Sequence, residues 1–417
     1  MSKKEEAFPK PCYHPLARLL IKVAGSPYMR FALGIRQVRR FNNEIASDQI
    51  NRFKEGQTRL ILAFRHTAVE DAPLVLMGVK QSHIAFLYGR DVLNWAGAVT
   101  KILFPRLGFI AVQNRATNRE GMHYLRHSAK EGRFPLALAP EGQVTYHAHR
   151  TAPIEAGVAN LALWAEQEGK EVIILPVAIA YRYAKETNAL VTNLLERWYE
   201  ESEVQSMQGS LIEQLAYACE ACLKLVASWW EVPLGTEGSF VERRDELCST
   251  LLAHGERLAE LPPLDASILD RLFRLRFKGE DTLFTVEASS LAPLQRSKLE
   301  ARQQIAHIYL RINQCVDVLE YLDPSYITEN PTPSRMAEVA LTLLDVLNRL
   351  RGGTINTRYS PKGKEGGLYF GNPITVGDPT LAGSGRKERL TLIERAVHAG
   401  LVEASDALEE RWTSHFT

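Results

Sequence analysis

No run in this chain of 417 residues reaches the roughly 18–20 apolar residues that a bilayer-crossing helix needs, which excludes a helical span. Behind the opening SKKEEAFPK there is no apolar core followed by a cleavage site, so no signal peptide is expected. Cysteine is sparse: Cys12, Cys219, Cys222, Cys248 and Cys315 are odd in number and scattered. That argues against a disulfide framework and for a reducing compartment. An excess of one charge sign is missing as well. With 50 Lys and Arg against 49 Asp and Glu, the net charge of +1 calls for no nucleic-acid partner. Neither G-x-x-x-x-G-K-[ST] nor a strand-borne G-x-G-x-x-G is present, which sets nucleotide binding aside. The G-x-S-x-G elbow of serine hydrolases is absent too. Low-complexity tracts and fixed repeats are lacking. The expectation is a cytoplasmic protein, soluble or peripheral on a membrane.

The length supports a large core and two domains. Residues 1–45 form a basic amphipathic arm, in which Arg18, Lys22, Arg30, Arg36, Arg39 and Arg40 interleave with Leu19, Leu20, Ile21, Tyr28, Phe31, Leu33 and Ile35. Such a helix either rests on anionic headgroups or packs on the domain with its arginines solvated. Residues 46–190 alternate strand-like and helical runs: LILAF, HIAFLYG, FIAV, PLALAP and VIILPVAIAY, each followed by helical periodicity. That predicts an α/β domain with a mostly parallel sheet flanked by helices. Within it LNWAGAVTKILFPRLGFIAV carries only Lys101 and Arg106 as charges, which fits core packing or a face turned to an acyl chain or bilayer. Residues 191–351 read as an added all-helical module, with runs at 210–231, 241–260, 266–277, 296–322 and 334–351. Cys219 and Cys222 fall inside one of these apolar runs, so packing is expected of them rather than redox or zinc chemistry. Residues 352–417 comprise a basic glycine-rich loop, a strand GLYFGNPITV and an amphipathic helical tail. The late strand is expected to rejoin the first sheet, which makes the helical module an insertion.

The stretch Leu60–Asp71, LILAFRHTAVED, carries the chemistry. A buried strand ends at Arg65 and His66, and a helix begins near Ala68, about one turn before Asp71 is passed. On a continuous helix residues five apart diverge by roughly 140°. The two side chains meet only if His66 lies ahead of the helix. Asp71 would then hold one ring nitrogen and leave the other to take a proton from a hydroxyl. With 11 histidines in the chain this spacing alone is weak, and what singles it out is the order of segments downstream. Gly108–Arg119, GFIAVQNRATNR, delivers Arg115 and Arg119 from a strand end. LALAPEGQVTYHAHR runs into Pro140, Glu141 and Gly142, where proline sets the backbone and glycine permits a turn. In VIILPVAIAY, Pro176 interrupts a buried strand and is expected to mark an edge or a bulge. All these sites fall at carboxyl ends of strands, where ligands bind in parallel sheets.

In these four ordered blocks the chain resembles the glycerolipid acyltransferase family, which includes the 1-acylglycerol-3-phosphate acyltransferases: His66-x-x-x-x-Asp71, Gly108 to Arg115, Pro140-Glu141-Gly142 and Leu175-Pro176-Val177. The similarity spans about 130 residues plus GLYFGNPI, and leaves out the N-terminal arm and the helical module. It implies that His66 is the general base, oriented by Asp71, for attack of an acceptor hydroxyl on an acyl thioester, with acyl-CoA or acyl-carrier protein as donor and no acyl-enzyme. It further implies that Arg115, Glu141 and Gly142 hold a glycerol phosphate and that Pro176 shapes the wall beside the thioester. It implies no metal and no other cofactor, a lipid acceptor and a membrane surface as partners, and a role in phospholipid biosynthesis. The chain departs from the pattern at Arg65, and at Gln143 and Val144, where the family continues with a hydroxyl residue and an arginine. Either Arg65, Arg119, His147, His149 or Arg150 takes over phosphate recognition, or the acceptor carries no phosphate. His147-x-His149 with Glu141 is also a metal reading, though it lacks a third ligand of recognisable spacing. A non-catalytic lipid-binding or scaffolding protein on a drifted acyltransferase fold is the alternative.

Overall fold

The apolar runs become eight strands of one sheet: β1 (Ile35–Phe41), β2 (Thr58–Phe64), β3 (Ala85–Gly89), β4 (Ile110–Val112), β5 (Leu136–Leu138), β6 (Glu171–Arg182), β7 (Lys364–Phe370) and β8 (Ile374–Thr375). The computed structural model describes residues 9–79, 83–90, 92–95, 97–112, 119–166, 169–183, 187–284 and 291–414. The strand order is β1-β7-β6-β2-β5-β3-β4, with β8 beside β6. Strands β2 to β6 run parallel, whereas β7 and β8 lie antiparallel to β6 and β1 runs parallel to β7. The protein is therefore α/β with a mostly parallel sheet.

Alternation along β2 shows how the sheet is covered, because successive side chains face opposite sides. Leu60, Leu62 and Phe64 join a core with Ile50 of α2 (Asn43–Lys54) and Leu74 and Val75 of α3 (Asp71–Gly78). Ala17 of α1 (Pro15–Pro27) belongs to the same layer, and α4 (Val92–Trp95) and α5 (Gly97–Arg106) follow β3. Ile61 and Ala63 face the other way, onto Leu125 of α6 (Arg119–Glu131), Val158 and Leu161 of α7 (Gly157–Glu166), and a long C-terminal helix.

The chain leaves this sheet unit, Phe8–Ala184 with Pro361–Thr417, to form a second compact unit over Lys185–Ser360. That unit consists of α8 (Thr187–Ser202), α9 (Leu211–Trp229), α10 (Phe240–Leu258), α11 (Ile268–Phe284), α12 (Pro293–Leu319), α13 (Ser325–Thr328) and α14 (Pro333–Leu350). Ser210 with Glu213, and Ser239 with Glu242, form reciprocal capping boxes that start α9 and α10. Cys219, Cys222, Cys248 and Cys315 are buried in this unit, and burial raises every one of these thiols, Cys315 to about 12. They pack as small apolar groups. The tail beyond Gly385 is a single helix, α15 (Arg386–Ser414).

Two expectations are corrected. Residues 1–45 are not one amphipathic arm, because Gly34, at φ +66°, ends the helical stretch and Ile35–Phe41 becomes β1. The basic residues spaced along it lie on a sheet edge, and Arg39 pairs with Glu365 of β7 at 2.9 Å. Alternating apolar and basic residues serve a two-residue period as well as a helical one, and here tertiary pairing decides. Nor does Pro176 mark an edge or a bulge. It sits inside β6, opposite Ala63 of β2. Val177 turns its carbonyl toward β2 and accepts from Arg65 N–H, so Pro176 points its amide position to the opposite side. There the partner changes from β8, at Ile173 and Ile174, to β7, whose last residue, Phe370, faces Val177. A missing N–H costs nothing at that junction, and the Pro176 carbonyl still accepts from Gly371.

β7 has room for α15 only because it is bare at Gly367, where a Cβ would lie 2.3 Å from the Trp412 ring. Gly367→Val is expected to destabilise the fold by about 1–3 kcal/mol through overpacking. Urea unfolding should show it as a lower midpoint at unchanged slope.

Candidate active site

β2 and β5 are hydrogen-bonded neighbours, so the segments leaving their carboxyl ends come together. After Phe64 the chain does not enter a helix at once. Residues 65–70 turn, and α3 starts at Asp71. That break brings together two side chains five residues apart, and His66 Nδ1 lies 3.1 Å from Asp71 Oδ2. Asp71 is fully buried, whereas the His66 side chain keeps 27% of its surface exposed.

The carboxylate is an acceptor on both oxygens. Its Oδ2 accepts from Thr67 N–H at 2.5 Å and Ala68 N–H at 2.8 Å, and its Oδ1 accepts from the Tyr181 hydroxyl at 2.7 Å. It also stands in the first turn of α3, at the positive end of the helix dipole. An acceptor on every side leaves Nδ1 as the donor toward it. Nε2 then carries the free lone pair, the arrangement a general base requires.

The backbone of His66 is held as firmly as its ring. Its N–H donates to Glu141 Oε2 at 2.7 Å, and its carbonyl accepts from Thr145 N–H at 2.7 Å. Thr145 and Glu141 both belong to the loop that follows β5. Within that loop Gly142, at φ +79°, donates to the Ala139 carbonyl, and Pro140 accepts from Glu155 N–H at 2.7 Å. A side chain at 142 would be strained by the backbone and would meet Glu155. The glycine is required for the turn that aims Glu141 inward.

Arg65 and Glu141 have no task at a ligand. Their side chains are completely buried, with Arg65 Nε donating to Glu141 Oε1 at 2.9 Å. The remaining guanidinium hydrogens go to the carbonyls of His147, Ala148 and Arg150 and to Ser405 Oγ, at 2.8–3.0 Å. All five donors of Arg65 are used, so it cannot replace a lost phosphate-binding arginine, and a buried Glu141 cannot hold a glycerol phosphate. The pair instead ties the end of β2 to the 147–150 segment. Arg119 opens α6 and is exposed, following β4, which lies three strands from β2 or ~14 Å at ~4.8 Å per strand. Arg115 lies outside the described residues. Pro176 is buried in β6 and paired with β2 two residues before β2 gives way to Arg65. Among the described residues, no group of three or more His, Cys, Asp or Glu side chains could hold a metal. His147, His149 and Glu141 thus form no centre of that kind.

Three residues beside the pair had no signal in the sequence. Tyr181 comes from β6 and Lys364 from β7, whereas Glu70 is the residue before Asp71 and N-cap of α3. Lys364 Nζ and Glu70 Oε1 are 2.6 Å apart and buried.

Arg65→Met leaves Glu141 charged and buried without its guanidinium and is expected to cost about 3–5 kcal/mol in equilibrium unfolding. Arg65→Met/Glu141→Gln should recover part of that loss.

Compared with models of known protein families and with curated proteins, the chain finds no match.

Proposed function

We propose that this protein is an O-acyltransferase, moving a fatty acyl group from an acyl thioester, acyl-CoA or acyl-carrier protein, to a hydroxyl of a glycerolipid such as 1-acylglycerol-3-phosphate. The observation that carries the reading is the partly exposed His66 with Nδ1 on buried Asp71, at the carboxyl end of a parallel strand. His66 Nε2 takes the proton of the acceptor hydroxyl as its oxygen attacks the thioester carbonyl. Asp71 balances the imidazolium so formed. When the tetrahedral adduct collapses the C–S bond breaks, and the proton passes from Nε2 to the departing thiolate sulfur. The products are an ester and a free thiol, and no acyl-enzyme is formed. A base positioned in this way contributes roughly 10²–10⁴-fold.

His66→Ala and Asp71→Asn are expected to remove acyl transfer from thioester to lipid acceptors by at least about 10²-fold while far-UV and thermal unfolding signals stay near wild type. Full turnover in a folded His66→Ala protein would sink the mechanism. Lipid binding that survives the substitution, with no turnover by any wild-type preparation, would favour a scaffolding protein.

The acceptor's setting is read from one face of the sheet unit. Ala17, Ile21 and Gly25 turn α1 onto the core, and Gly25 is bare where the Met77 side chain of α3 approaches. Leu16, Leu19, Leu20 and Val23 recur at helical spacing on the outer side, Val23 being 69% exposed, and Phe31 in the π-helical turn Tyr28–Ala32 is 74% exposed. The start of α1 is bonded to the end of α5 through Cys12 N–H to Pro105 and His14 N–H to Arg106, and α5 exposes Val99 and Ile102. Residues 7–43 and 92–112 contain no Asp or Glu, but Arg18, Lys22, Arg30, Lys101 and Arg106 stand among these apolar groups. An apolar surface whose own segments carry only cations suits an anionic lipid bilayer. Leu19→Asp/Val23→Asp should lower co-sedimentation with phosphatidylglycerol-containing vesicles by at least tenfold, since each buried apolar side chain is worth about 1.5–3 kcal/mol. Unchanged sedimentation, or loss of a dimer instead, would remove the bilayer as the occupant.

A further inference from the structure

His66 depends on Asp71, and Asp71 in turn is held from behind. Three donors converge on its Oδ2: the N–H groups of Thr67 and Ala68, and His66 Nδ1. Its Oδ1 receives the Tyr181 hydroxyl at 2.7 Å, while Thr67 Oγ1 stands farther off at 3.4 Å. Tyr181 projects from β6 near its end, in register with Gly366 of β7. It is among the largest fully buried side chains of the protein. Burial, with the negative charges of Asp71 and Glu70 added, pushes the phenol well above its usual range. It therefore stays protonated and donates.

Tyr181 is itself held by a charge pair. The Lys364 ammonium lies 5.0 Å from the centroid of its ring, within cation–π range, and bonds Glu70 at 2.6 Å. Glu70 precedes Asp71 in the chain, so the pair also fixes the turn from which Asp71 enters α3. The line of contacts is Lys364, Tyr181, Asp71 and His66, with Glu70 closing it against the start of α3. None of these contacts reaches a substrate, yet each restricts the next.

We propose that Tyr181 is a positioning residue: its hydroxyl fixes the rotation of the Asp71 carboxylate, which keeps the His66 proton on Nδ1 and Nε2 bare toward the acceptor. The rotation matters because the terminal torsion of aspartate is a broad, nearly two-fold well with little preference of its own. With Oδ1 left only the long Thr67 Oγ1 contact at 3.4 Å, the carboxylate plane turns about the Oδ2 contacts, and the bond to a partly exposed ring loses its alignment. A histidine without that alignment exchanges between its two neutral tautomers, and the one with hydrogen on Nε2 cannot accept from a hydroxyl. The role of Lys364 and Glu70 is to keep the phenol ring from swinging. This inference rests on reading His66 as the base, but its readout needs no substrate.

The test uses the full chain labelled with ¹⁵N-histidine, the His66 resonances being identified by their disappearance in His66→Gln. Imidazole ¹⁵N shifts report the tautomer. The wild type should show His66 with hydrogen on Nδ1 alone, and Tyr181→Phe should show a mixture of the two forms. In acyl-transfer assays the same variant should lose about 10–100-fold in kcat, with KM for the thioester within about twofold, the pattern of a misplaced catalytic group. A Tyr181→Phe protein with the wild-type tautomer overturns the proposal, whatever its activity. So does a wild type with mixed forms. If Tyr181→Phe does not fold, Lys364→Met/Glu70→Gln removes the charge pair and leaves Tyr181, Asp71 and His66 in place. That variant should also show mixed tautomers, and an unchanged spectrum overturns the proposal. A wild type with one tautomer and no turnover on any thioester would instead defeat the acyltransfer reading and leave the positioning role standing.

Discussion

The ends of two parallel strands do not make a site unless something holds the segments that leave them, and here that is the buried contact between Arg65 and Glu141. It joins the residue after β2 to the loop after β5 by two charged groups that no water reaches. Taking both out of solvent is expensive, and the expense is recovered only because every remaining hydrogen-bonding atom finds a partner. Arg65 does so with three backbone carbonyls and Ser405, and Glu141 does so with the N–H groups of His66 and Ala152. The arginine beside the histidine, which looked like a departure from an acyltransferase pattern, is in this way a strut for the histidine's own backbone.

The arrangement sorts the polar residues of the region into two depths. Arg65, Glu141, Asp71, Tyr181, Lys364 and Glu70 are buried in two hydrogen-bonded groups, Arg65 with Glu141 and Asp71 with Tyr181, Lys364 and Glu70, and His66 alone of the pair with Asp71 reaches solvent. Buried polar networks that are satisfied in this way hold one geometry, because turning any member away would leave a buried polar group without its hydrogen bond. The low dielectric around Asp71 also strengthens its hold on Nδ1.

Much of this was legible in the chain, for reasons of range. The His66–Asp71 pair could be read because its geometry is local: a strand stop, a short turn and a helix start bring two residues together within one segment. The helices of the second unit could be read because apolar periodicity, and the proline and glycine that break it, are local as well. Contacts set by topology could not be read. Glu141 meets Arg65 across 76 positions and Lys364 meets Glu70 across 294, and no pattern in either segment announces the other. The edge strand at Ile35–Phe41 was misread for a related reason, since its partner β7 lies near the other end of the chain. Pro176 was misread because the change of partner beside it, from β8 to β7, exists only once the sheet is assembled.

The adjacency of β6 and β7 has a consequence for how the molecule is made. Arg182 faces Glu365, so two neighbouring strands are separated by the whole helical unit. At ~5–20 residues per second, roughly 10–40 seconds of translation pass between the emergence of one and the arrival of the other. Throughout that interval the apolar flank of β6 is an open edge, the kind of surface on which nascent chains stick to one another. Glu70 also waits without its lysine. A ribosome that stalls inside the helical unit would release a sheet that lacks its closing strand and an aspartate whose support has not yet been synthesised.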